Sequence, residues 1–374
     1  MSRTPITALA SSALVPPSPT GSYIFSIALT PSHICALTST QTLHVLSPST
    51  LQTQQSLSSS PTHTLLSTLS PTSLLTSGED GSIHHYDLRA SSLAGKIPVA
   101  SPVSSLAAHA GAGLVSAGTL QNESTCTGAV YIYDSRNSRA PVRAYKDSHS
   151  DDVTALGFSS SAGRVVSGGT DGYVNVFSLS AAAGRGGEGD DEVEGAVVSV
   201  TNHGSVHKLG FLGGGEMWAK SHDEVLAIYS QDGEEEGNGR DYKLGDVRKA
   251  VEGCEYVVDL LPRGEGDAWV VAGSMAGQWV DLVPLDRCGV WGSGGFRLLG
   301  GHGEEVCRDV KVDVATSTIF TGGEDGIVKA WRPPTEDVVA AMEVAEESAP
   351  QKKEKTKKKN KKSKDEKKLR HAPY

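Results

Sequence analysis

The chain has 374 residues, 38% of them hydrophobic, and 42 glycines, a composition that suits short strands joined by tight turns better than long helices. No apolar stretch approaches the roughly 18–20 residues of a membrane-crossing helix. Five cysteines (Cys35, Cys126, Cys254, Cys288, Cys307), odd in number and without a C-x-x-C pair, set aside a disulfide framework and a zinc ribbon.

The first twenty residues, rich in Ser, Thr and Pro, hold no sustained apolar core after Arg3, so no signal peptide is expected there. Beyond them one unit recurs: a short apolar run enters a Gly/Ser-rich turn and leaves as an alternating strand. Residues 74–89 (LLTSGEDGSIHHYDLR), 165–180 (VVSGGTDGYVNVFSLS) and 319–332 (IFTGGEDGIVKAWR) are the clearest copies; weaker ones occupy 34–48, 114–136, 216–231 and 269–284. Aligned on Ala36, Thr76, Ser116, Ser167, Ala219, Ala272 and Thr321, the steps are 40, 40, 51, 52, 53 and 49 by subtraction. A period of about 40–45 residues with four strands per unit predicts a β-propeller, the longer steps being loop insertions.

In the fourth unit the pattern predicts strands at 153–158, 164–167, 173–179 and near 196–200, with Thr170-Asp171-Gly172 as the hairpin turn. Residues 181–194 and 231–240 read as acidic, Gly-rich insertions. After Trp331 the chain runs into Arg332-Pro333-Pro334 and makes no outer strand for the seventh unit. Unpaired strand edges are a liability, so part of residues 4–12 is expected to close the ring. The resulting map is an N-terminal segment at 1–20, an all-β seven-bladed propeller at 21–334, and a tail at 335–374. Residues 351–370 carry eleven lysines and Arg370 against three acids, a net +9, which leaves −19 of the overall −10 on the rest. Such a lysine run cannot bury enough apolar area to fold alone and is expected to be disordered.

A recurrent polar set accompanies the units: a His ahead of the first strand, a Ser or Thr on the second, an Asp in the hairpin and an aromatic ending the third. The seventh unit has His302, Thr321, Asp325 and Trp331; the fourth has His149, Ser167 and Asp171, with Phe177 in the aromatic place. The second has Thr76, Asp80 and Tyr86 and no histidine at matching spacing. Buried polar groups need partners, so these residues are read as a structural network.

Repeats carrying this set resemble those of WD-repeat proteins. Residues 148–158 (SHSDDVTALGF), 165–177 (VVSGGTDGYVNVF), 221–224 (SHDE), 246–248 (DVR), 300–306 (GGHGEEV) and 321–325 (TGGED) are similar in order and spacing to one family, WD repeat-containing protein 89. The likeness covers roughly residues 114–332, the first two units matching only as generic blades, and Ser178 stands where that family often has Asp. The resemblance implies architecture more than activity.

No pattern supports catalysis, a cofactor or a metal. The G-x-G-x-x-G at 184–189 lies in an acidic loop with no helix after it; His203 and His207 fall around a turn; Ser293 lacks the glycine that a nucleophile elbow requires. Two features point to protein partners. Asp151-Asp152 and Glu304-Glu305 sit on loops feeding the inner strands, where paired acids favour a basic partner. Tyr86-Asp87-Leu88-Arg89 and Tyr133-Asp134-Ser135-Arg136 resemble the WD-x-R box with which many propellers dock onto the adaptor of cullin-type ubiquitin ligases, which singles out Arg89 and Arg136. The lysine run reads as a nuclear or nucleolar address; with no aromatics interleaved, its RNA contact would be nonspecific. The sequence thus predicts a non-enzymatic scaffold, monomeric within a complex, in the nucleus, with the cytoplasm as the alternative. A ubiquitin-ligase substrate receptor, a ribosome-assembly factor and a hydrolase are the competing readings.

Overall fold

Seven sheets succeed one another along the chain in a computed structural model that describes residues 3–15, 22–99, 101–179, 196–213, 215–229, 241–264 and 266–334. The lysine-rich tail and both acidic insertions lie outside these residues. The first strands of the blades are Ile24–Leu29, His63–Ser70, Val103–His109, Val153–Phe158, Val206–Phe211, Tyr256–Arg263 and Cys307–Asp313. Each begins an antiparallel sheet, and the last of them lies against the first. The fold is a seven-bladed propeller, as the repeat predicts. In the fourth blade the strands run Val153–Phe158, Arg164–Gly169, Tyr173–Ser178 and Val197–Asn202.

Middle strands are buried on both faces because each sheet is covered by the next. Ile34–Thr38 and Thr318–Gly323 are buried throughout, and Ile24 and Ile27 of the first blade share a core with Phe320 and Val328 of the seventh. Contact is close at Gly118, Gly168 and Gly322, where a Cβ would come within 2.6, 2.5 and 2.9 Å of Val153, Val206 and Ile27 of the following blade. Only glycine lets the inner strands approach so closely.

All seven first strands break register at the same place, between the pairs Ile24/Ser26, His63/Leu65, Val103/Ser105, Val153/Ala155, Val206/Lys208, Val257/Asp259 and Cys307/Asp309. A bulge adds twist and turns one extra side chain out of the ladder. Taking the bulge as reference corrects the sequence alignment at two blades. Ala117 and Val270, not Ser116 and Ala272, occupy the place of Thr76, Ser167 and Thr321.

Closure follows the expectation and adds to it. Ala8–Ala13 pairs antiparallel with Ile327–Trp331 and supplies the seventh blade's outer strand. Just before it, Thr4–Ile6 pairs in parallel with Phe296–Leu299 as a fifth strand of the sixth blade. Arg3 anchors this start, donating to the Gly294 carbonyl at 2.6 Å and lying 3.5 Å from the Asp281 carboxylate. The inner ring closes on Asp309, whose carboxylate accepts from Ser26 Oγ at 2.6 Å and from the Ile27 amide at 2.9 Å.

Candidate functional site

The polar set forms as read in the seventh blade. Trp331 Nε1 donates to Thr321 Oγ1 at 3.0 Å, Thr321 Oγ1 lies 2.8 Å from His302 Nε2, and His302 Nδ1 lies 2.7 Å from Asp325. A carboxylate only accepts, so in the neutral ring Nδ1–H faces Asp325 and the Thr321 hydroxyl donates to Nε2. In the fourth blade His149 lies 2.8 Å from Ser167 and 3.1 Å from Asp171, while Phe177 instead stacks on Tyr145 with ring centroids 4.2 Å apart. Trp331→Phe should therefore leave the fold intact and lower stability by about 1–2 kcal/mol, the cost of one buried hydrogen bond. A thermal scan against the native chain checks this.

The second blade corrects the sequence reading, which gave it no histidine. His63 completes the set at 2.7 Å from Thr76 and 3.0 Å from Asp80. It lies 13 positions before its hydroxyl partner, where His149 and His302 lie 18 and 19 before theirs, so matching by spacing misses it.

Arg89 and Arg136 are presented alike. Each guanidinium grips the Asp two residues before it with two hydrogen bonds, at 3.2 and 2.8 Å for Arg89 and at 2.8 and 2.8 Å for Arg136. The arginines hold the Asp87 and Asp134 carboxyls well below the usual carboxylate range. At 73% and 76% exposure these clamps add little stability, and they leave both cations in solvent on adjacent blades, at the rim where third strands turn into fourth. Arg248 makes the same clamp on Asp246, at 2.9 and 3.1 Å, but it follows a fourth strand and so stands on the opposite rim.

The four acids are not brought together. Asp151 and Asp152 join the third and fourth blades, and Glu304 and Glu305 join the sixth and seventh, nearly across the ring. Asp152 also accepts from the Gln121 amide at 2.7 Å, whereas both glutamates are exposed. His203 and His207 do not meet either: His203 bonds the Tyr229 hydroxyl at 2.7 Å, and His207 stacks on His222.

A central cavity of about 470 Å³ is the feature that sequence reasoning missed. Bulge residues Phe25, Thr64, Ser104, Thr154, His207 and Arg308 line it. The residues that follow the bulges add charge: Lys208 pairs with Asp259 at 3.1 Å and Asp309 with Lys311 at 2.6 Å. Beside them the buried Lys220 binds Glu224 and the Val257 carbonyl, both at 3.0 Å. Burial, then the positive charges of Lys220, Lys208, His222 and Arg308, hold the His207 imidazole well below its ordinary pKa. Burial opposes ionisation of Asp309, but Lys311 and Lys208 outweigh it and keep the carboxyl below the usual range. Lys208–Asp259 and the Lys220 bond to Val257 cross from the fifth blade to the sixth and fasten the inner ring, while Asp309–Lys311 and Lys220–Glu224 are neutralised within their own blades.

Comparison with known proteins agrees with this geometry. The model of the WD domain, G-beta repeat, matches residues 140–178 and 296–332, which include the locks of the fourth and seventh blades. An uncharacterized WD repeat-containing protein of Saccharomyces cerevisiae is 34% identical over 209 residues, 54% of this chain and 50% of that protein. An uncharacterized WD repeat-containing protein of Schizosaccharomyces pombe is 24% identical over 273 residues, 69% of this chain and 79% of that one. The chain spans about half the length of the first relative and most of the second. With the repeat, its polar lock and the ring all present, the chain is a seven-bladed propeller with WD repeats at residues 140–178 and 296–332.

Proposed function

We propose that this protein is a non-enzymatic scaffold that holds other proteins together in the nucleus. The observation that carries the reading is the pair of clamped, solvent-facing arginines on adjacent blades. Each is oriented by its own aspartate, a geometry that lends itself to bidentate recognition of a partner's carboxylates. The titratable groups of the central cavity are engaged with one another, which suits a structural ring better than a catalytic one. The likeness to the WD repeat-containing protein 89 family fits such a role, and the lysine-rich stretch at 351–370 supplies the nuclear address.

The same two clamps favour a second reading, docking onto a ubiquitin-ligase adaptor. Proximity labelling with the native chain and with an Arg89→Ala/Arg136→Ala variant tests both. These side chains are exposed, so the variant should keep its stability within about 0.5 kcal/mol while losing a defined subset of neighbours. Loss of ligase adaptors from that set would support the second reading, and loss of other proteins the first; an unchanged set would remove the clamps as a docking surface. Neighbours consisting of preribosomal proteins, retained in the variant, would support assembly work instead. A chain lacking residues 350–374 that still accumulates in nuclei would refute the address.

A further inference from the structure

The lock of the second blade differs from the others in two ways. His63 is turned over: its Nδ1 meets the hydroxyl and its Nε2 the aspartate, whereas His149 and His302 meet the hydroxyl with Nε2 and the aspartate with Nδ1. The residue paired with the hydroxyl-bearing position is also changed. The fourth and seventh blades have Asn175 and Lys329 there, each donating to a backbone carbonyl, of Ser148 and Gly301. The second blade has His84. The residue is 6% exposed, its Nε2 has no hydrogen-bond partner among the described residues, and the ring stands edge-on to His63 with centroids 4.4 Å apart.

We propose that His63, Asp80 and His84 bind a divalent transition-metal ion of the zinc class. One donor atom from each lies within 4.8 Å of the other two. Four-coordinate zinc, with bonds of about 2.0–2.1 Å, sets its ligand atoms about 3.4 Å apart, so the widest gap must contract by about an ångström or more. Asp80, in a hairpin turn with 30% of its side chain exposed, is the least buried member, and moving it would cost part of its present hydrogen bonding. Imidazole and carboxylate are donors this ion accepts. Supporting bonds are already in place: Thr76 holds His63 Nδ1, which frees Nε2 for the ion, and Ser60 and Ser82 hold the Asp80 oxygens at 2.8 and 2.9 Å. Water reaching Asp80 would complete the fourth position. Lys96, paired with His84 on the outer strand, opposes a cation, but it is exposed and screened by solvent.

The test is calorimetric titration of the full chain with Zn²⁺, in a Cys126→Ser/Cys288→Ser background that removes the two exposed thiols. The expected result is one saturable site, weakened at least about tenfold by His84→Asn, with Co²⁺ giving the visible bands of a four-coordinate nitrogen and oxygen site. Asn is the residue the fourth blade tolerates at this position, so the variant should fold, and circular dichroism confirms that it does. Equal affinity in native and variant chains, or no saturable site, would overturn the proposal. Should the variant not fold, Co²⁺ spectra of the native chain decide alone: six-coordinate or absent bands count against the site.

Discussion

Deleting residues 1–13 is expected to abolish stable, monomeric folding. The deletion removes the ladder from Ala8–Ala13 to Ile327–Trp331, the parallel strand on the sixth blade and the buried side chain of Ile6. Burial of one isoleucine is worth about 1.5–3 kcal/mol, and each ladder hydrogen bond a net ~0.5–1.5 kcal/mol. Together they approach or exceed about 5 kcal/mol, comparable with the whole stability of many proteins. Arg3 is lost as well, which leaves the buried Asp281 with Arg297 as its remaining ion-pair partner among the described residues. The uncovered edge at Ile327–Trp331 is a template for another chain. Thermal scans with light scattering should show a fall in midpoint and onset of aggregation. A soluble monomer melting at the native temperature would contradict the role given to the N-terminal strands.

Asp309→Ala should be the most damaging single substitution in the inner ring. Asp309 is 5% exposed and holds Ser26, the Ile27 amide and Lys311, with Lys208 nearby. Removing one partner of a buried charged network costs about 3–5 kcal/mol, because the remaining charges and amide go unanswered. Asp309→Asn keeps an acceptor for Ser26 and Ile27 and should lose less. The pH dependence has a definite sign. Asp309 has a folded pKa below its ordinary value of 3.8, so its contribution is complete above that value and disappears as the pH falls below it. Urea midpoints should therefore converge for native and alanine chains in acid and differ most near neutrality. A constant difference across that range would refute the electrostatic part of the explanation.

The repeat was legible because its physical causes act at fixed spacing. Ser167-Gly168-Gly169 and Thr321-Gly322-Gly323 join a lock hydroxyl to a glycine pressed by the next blade, and few alternatives satisfy both. Other parts left no readable trace. Both faces of Tyr173–Ser178 are covered, so Val174, Asn175, Val176 and Phe177 are all buried and alternation says little about facing. Ser116 and Ala272 imitate the lock position in composition, and only the bulges reveal the slip to Ala117 and Val270. Among the candidate site residues, Arg89 and Arg136 could be found as motifs. The cavity charges could not, because Lys208, Asp259 and Asp309 meet only once three blades have come together.

The strand that completes the seventh sheet has a consequence for biogenesis. Ala8 leaves the ribosome long before its partner Trp331. While the residues between them are made, the nascent chain holds an unmated strand and a growing arc of sheets behind it. Pairings so distant in sequence form slowly and leave edges open meanwhile. A circle closed by strands made so far apart in time keeps an open edge until the later one arrives.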